Sequence, residues 1–133
     1  MGYTTYARGE IRIDPPLTAS EIKGSPFMPD VARQRGTNRD VMFQIQMSEI
    51  ETPEGTLFKR SAVAIVQSWE DEPRNYDIVA HVQELIDLHG TGRTFTGHFD
   101  MEGEEPGDIW RLYVRDGKAV RVDPVITWPG EPA

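Results

Sequence analysis

Residues 94–127, TFTGHFDMEGEEPGDIWRLYVRDGKAVRVDPVIT, carry the alternation from which the fold is read. Phe95, Gly97, Phe99 and Met101 share one parity, and Thr94, Thr96, His98 and Asp100 the other. Trp110, Leu112 and Val114 alternate with Ile109, Arg111, Tyr113 and Arg115, and Val120 and Val122 with Ala119, Arg121 and Asp123. Period-two alternation is the mark of half-buried strands, so the stretch predicts an antiparallel meander of three. Asp116-Gly117 suggests a two-residue hairpin loop. That register sets Leu112 opposite Arg121 and mixes the apolar face with the charged one. A three-residue loop, Arg115-Asp116-Gly117, sets Leu112 opposite Val120 and Trp110 opposite Val122, and keeps each face uniform. A one-residue slip flips every side chain of a strand, so the pattern favours the three-residue loop, with a type I turn and Gly117 in the left-handed region.

Working outward, residues 3–13 (YTTYARGEIRI) read as a first strand that ends at Pro15-Pro16, because proline donates nothing to a ladder. Thr18 and Glu21 have the spacing of a capping box for a short helix. Residues 24–39 (GSPFMPDVARQRGTNR) lack periodicity and read as a loop. Val41, Phe43, Ile45 and Met47 mark a second strand, and 57–68 a third. The run Ala62-Val63-Ala64-Ile65-Val66 is apolar at both parities, which suggests a strand covered on both faces near the sheet centre. Asn75–His89 reads as the main helix, with Asn75 as N-cap and a stripe of Ile78, Val79, Val82, Leu85 and Ile86. Gly90 is its expected left-handed terminator. The whole is a single α+β domain over residues 1–133. A mainly antiparallel, curved sheet of about six strands packs on one main helix, in the order β-α-β-β-α-β-β-β, with a flexible tail from Trp128.

Composition narrows the function. The 133 residues include 22 acidic and 14 basic side chains, a net charge of −8. Such a surface repels phosphate backbones and disfavours direct nucleic-acid binding. No cysteine is present, which removes disulfides, thiolate metal sites and cysteine nucleophiles. No apolar run approaches the roughly 18 residues of a membrane helix, and the first residues hold no apolar signal region, so the chain reads as cytoplasmic. No nucleophile elbow, phosphate loop or dinucleotide fingerprint occurs.

Three constellations remain. Asp100, Glu102, Glu104, Glu105 and Asp108 form an acidic loop between two strands. It reads first as a solvated turn, and otherwise as a cation site or a carboxylate pair for acid–base work. His81, His89 and His98 have no chelating spacing, so no metal, cofactor or catalytic residue is assigned. Arg33, Arg35 and Arg39 give a basic segment that could meet an anionic ligand. The outward strand face with Ile109, Arg111, Tyr113 and Arg115 reads as a shallow interaction surface, or as a face covered by another element.

Several short segments resemble one another's counterparts in a known family: Gly9 to Leu17 (GEIRIDPPL), Glu54 to Leu57 (EGTL), Phe95-Thr96-Gly97, Gly103-Glu104, Gly107 to Arg111 (GDIWR), Asp116-Gly117-Lys118 and Trp128-Pro129. Together they resemble short uncharacterised proteins of actinobacteria and their phages that share a domain of unknown function. The resemblance implies no activity. It implies a small cytoplasmic accessory protein, of the kind encoded by a phage or mobile element, that works by binding a protein partner. The expected surface is Glu102, Glu104, Glu105, Asp108, Arg111 and Tyr113. The alternatives are a DNA mimic, a small-ligand binder using the aromatics and the arginine segment, and a carboxylate-dependent hydrolase.

Overall fold

A computed structural model describes residues 2–34 and 38–130. Six strands form one open antiparallel sheet: β1 Thr5–Thr18, β2 Val41–Thr52, β3 Gly55–Gln67, β4 Thr94–Gly103, β5 Ile109–Arg115 and β6 Lys118–Val122. Their lateral order is β2-β3-β1-β4-β5-β6. Among the described residues there are three helices: α1 Ala19–Ile22, α2 Pro29–Ala32 and α3 Ile78–His89. The expected meander is present, with Phe99 opposite Leu112 and Met101 opposite Trp110.

The core lies on one side of the sheet. Ala7, Ile11 and Ile13 of β1, Phe43 of β2, Phe99 and Met101 of β4 and Leu112 of β5 meet Ile78, Val82, Leu85 and Ile86 of α3. The i, i+3, i+4, i+7 spacing puts those four helical residues on one stripe, as the sequence suggests. The helical layer is not α3 alone: Ile22 of α1 and Phe27 just ahead of α2 join Leu17 of β1 to close the core under β2 and β3. The segment read as a plain loop therefore holds a helical turn, α2, opened by Pro29 at its first position.

Local chemistry explains each element boundary. The Thr18–Glu21 capping box forms, with the Thr18 amide donating to Glu21 Oε1 (3.0 Å) and the Glu21 amide to Thr18 Oγ1 (3.3 Å). Strand β1 does not stop at its prolines. Pairing with β4 ends at Asp14, and pairing with β3 breaks between Arg12 and Leu17, so Pro15 and Pro16 sit where no ladder bond is required. In β3 the pairing slips at Val63, between Ala64 opposite Gln44 and Ala62 opposite Ile45. That bulge accounts for part of the run apolar at both parities. Ala64, opposite Gln44 and Arg12 on the other face, is itself fully buried, so the strand is covered on both sides at that point. Ala62 and Ile65 both reach the core across the bulge, and β3 lies one place in from the sheet edge.

The two ends of α3 also differ from expectation. Asp77, not Asn75, is the N-cap, and its amide is held by the distant Asp40 carboxylate (2.8 Å). His81 Nδ1 accepts the Asp40 amide (2.9 Å), and burial raises the Asp40 carboxyl above its ordinary range. Gly90 is right-handed, at φ −80. A Cβ there would lie 2.5 Å from the Ile86 carbonyl, so close approach demands the glycine, and Gly92 (φ 72) makes the left-handed turn.

Beside that end, His89 Nε2 lies 2.9 Å from Ser25 Oγ and its ring packs edge-on to Phe43. Burial holds its pKa below the ordinary 6.5, opposed by the smaller pull of Glu21. The unfolded chain then binds more protons than the folded one as pH falls below about 6.5, so stability is lost in that direction. Thermal melts at pH 7.5 and 5.5 should show a larger drop for wild type than for His89→Gln. Equal drops would remove His89 as the cause.

Candidate interaction surface

Since α3 and the 22–32 segment cover one face, the other face of β4, β5 and β6 is left open. The β5–β6 register decides what it displays. Arg115 pairs with Lys118, Tyr113 with Val120, Leu112 with Arg121 and Arg111 with Val122. The loop is therefore the two-residue Asp116-Gly117 turn, with positive φ at both residues (52 and 74). This corrects the three-residue reading, although Gly117 is left-handed as expected. Mirror-image turns match the twist of hairpin strands, which favours this loop. The penalty foreseen for Arg121 on the core side is met by stacking: its guanidinium lies 4.3 Å from the Trp110 ring centroid and its Nε 3.0 Å from Asp123 Oδ1.

The correction moves Val120 and Val122 to the open face beside Ile109 and Tyr113. Ile109 is 50% exposed. A groove of about 410 Å³ runs here, with Ile109, Tyr113 and Val122 in its wall and Arg8, Asp100 and Glu102 on its rim. Its charges are already organised. Arg111 Nε donates to Asp100 Oδ1 (2.8 Å) and Arg111 Nη1 to the Tyr113 hydroxyl (3.2 Å). Those two bonds, the tyrosine's first, raise the arginine's pKa further. His98 Nε2 lies 3.3 Å from Asp100 Oδ1, and its ring stacks 4.9 Å from Tyr113. Arg115 covers the Tyr113 ring at 4.8 Å. The tyrosine is thus fixed from three sides, a rigid aromatic with its polar tip bonded.

Of the six surface residues expected from sequence, Glu102, Arg111 and Tyr113 line this groove. Glu104, Glu105 and Asp108 instead clasp the N-terminal segment. Tyr3 donates its hydroxyl to Asp108 Oδ2 (2.6 Å) and accepts the Glu105 amide (3.0 Å), while the Thr4 amide donates to Glu104 Oε1 (2.7 Å). The bond to Asp108 raises the phenol's pKa. Gly103 lies directly beneath this clasp, and a Cβ there would meet the tips of the Tyr3 and Asp108 side chains and displace them. Among the described residues no three His, Asp or Glu side chains stand together as a metal site.

The arginine segment is likewise engaged internally. Arg33 Nε donates to the Ser68 carbonyl (2.8 Å). Arg39 makes a forked pair with Glu84 (2.7 and 3.2 Å) over the Phe27 ring, and the bond to Glu84 raises its pKa. Arg35 lies outside the described residues. Trp128 stands exposed rather than folded onto the sheet. The groove residues that sequence reading passed over include Arg8 and Val122, while Asp100, read there as part of the acidic loop, belongs to the groove instead. The signal for Val122 was the Asp-Gly pair itself.

Among the described residues no helix is long and apolar enough to cross a membrane. Over residues 1–133 the chain matches the model of a family of unknown function, DUF6205, and it belongs to that family. No curated protein and no solved structure matches it.

Proposed function

We propose that this family member is a small cytoplasmic accessory protein that binds a protein partner through the open face of β4–β6. One observation carries the reading. A helix-free sheet face displays Ile109, Tyr113, Val120 and Val122 together, and all but Val120 line a groove whose rim alternates arginine and carboxylate. Apolar side chains rimmed by polar ones mark interaction sites. A preordered Tyr with flanking arginines is the composition of an interface hot spot. The alternating rim suits a protein surface of mixed charge better than a polyanion. The resemblance to actinobacterial and phage proteins supports a host or phage component as the partner.

The test is a quantitative pull-down from host lysate. The Ile109→Arg/Val122→Arg variant is expected to lose the partner at least tenfold. Glu104→Lys/Glu105→Lys, which alters the clasp outside the groove, is expected to keep it. A partner retained by the first variant and lost by the second would move the surface to the acidic loop.

A further inference from the structure

The two edges of the sheet are treated differently. Strand β6 spans only five residues, its Ala119 amide is taken by Gln83 Oε1 (2.8 Å), and Pro124 follows it. Short length, a side-chain cover and proline are the usual guards of an edge. Strand β2 has twelve residues and no proline or lysine. Its Phe43 amide points outward and donates to the Phe27 carbonyl (2.9 Å). By alternation, Ile45, Met47, Glu49 and Glu51 turn their amides and carbonyls to the same edge. Among the described residues, no backbone hydrogen bond reaches those four from that side.

This bare stretch belongs to the arm formed by the outer halves of β2 and β3. Met47, Ile50, Leu57 and Phe58 are all exposed on it, Phe58 at 63%. At the base of the arm lies a groove of about 770 Å³, lined by Ile22, Met28, Val31 and Ile45, with Lys23 and Arg60 outnumbering the single acid Asp30 among its charged residues.

We propose that β2 pairs antiparallel with β2 of a second copy about a two-fold axis at Ser48. The result is a continuous sheet of twelve strands, six from each copy. The occupant follows from self-complementarity. A dyad at Ser48 uses all four bare positions, with Ile45 opposite Glu51 of the partner copy and Met47 opposite its Glu49. No like charges then face each other. The acidic arm of one copy (Glu49, Glu51) runs toward the basic rim (Lys23, Arg60) and apolar groove of the other. An isologous contact of this kind closes on itself and stops at two copies.

Sedimentation and light scattering of the whole chain should give a mass rising with concentration to twice 15.1 kDa. Glu49→Pro removes only an outward amide, which an edge strand tolerates. It is expected to weaken association at least tenfold without changing the monomer's circular dichroism. Ser48 meets its own copy at a non-hydrogen-bonded pair, roughly 4.5 Å between Cα atoms, within disulfide reach. In this cysteine-free chain, Ser48→Cys should therefore oxidise to a covalent dimer far faster than Gln46→Cys, which faces Ile50 of the partner copy. Equal rates would overturn the register. A wild type that stays monomeric at every concentration would overturn the proposal and leave the edge for a strand of another protein.

Discussion

Gly97→Ala is expected to cost about 3 kcal/mol, or about 10 °C in Tm, through steric conflict rather than lost contacts. Gly97 lies mid-strand in β4, opposite Ile11 of β1, with φ +105. An added Cβ would sit 2.6 Å from the Glu10 carbonyl, a backbone atom that belongs to the central ladder and cannot swing away. Gly92→Ala is the control. It too has positive φ (72), but nothing lies within 4 Å of its Cβ position. Its cost should be about 1 kcal/mol, the conformational part alone. Chemical denaturation of both variants separates the two terms. Equal losses would show that β1 and β4 do not approach as closely as described.

Asn75 should rank next, at about 2–3 kcal/mol for Asn75→Ala. It is buried, at φ 55, a conformation asparagine tolerates better than alanine. Its Nδ2 donates to the Thr5 carbonyl (2.7 Å) and to Gln67 Oε1 (2.9 Å), and that same Gln67 oxygen accepts the Ala7 amide (2.9 Å). One side chain thereby ties the start of β1 to the end of β3 at the entrance to α3. Asn75→Asp is the sharper test. It keeps the shape but turns the donor into a charged acceptor facing two other acceptors. Burial and that repulsion raise the new carboxyl's folded pKa above its unfolded value. The variant's deficit is then full above the folded pKa and shrinks as pH falls through it toward the unfolded value. A deficit independent of pH would mean the side chain escapes to solvent.

Asn75 also shows where sequence reading stops. A polar residue before a helix looks like an N-cap, and nothing local says that its partners are Thr5 and Gln67, 70 and 8 residues away. The helix stripe, the capping box and the meander were legible because each is set by near neighbours. The Val63 bulge was not, since one extra residue in a strand produces the same apolar run as burial on both faces. The hairpin register failed for a different reason. Uniform faces favour one register and turn chemistry the other; Asp116-Gly117 fixes the loop, and a cation–π contact with Trp110 accommodates Arg121 on the core side. For the surface itself, Arg111 and Tyr113 could be found by parity. That Glu104 and Asp108 hold Thr4 and Tyr3 depends on contacts across about 100 residues.

The proposed surface exists only if β5 and β6 pair as described, because one step of register would carry Val120 and Val122 to the core side. Nuclear Overhauser contacts across this hairpin test that directly. Contacts between the Tyr113 ring and the Val120 methyls, and between Arg111 and Val122, are predicted from the observed pairing. Contacts from Leu112 to Val120 and from Trp110 to Val122 would restore the three-residue loop. They would leave the open face without its apolar strip, and the binding proposal without its foundation.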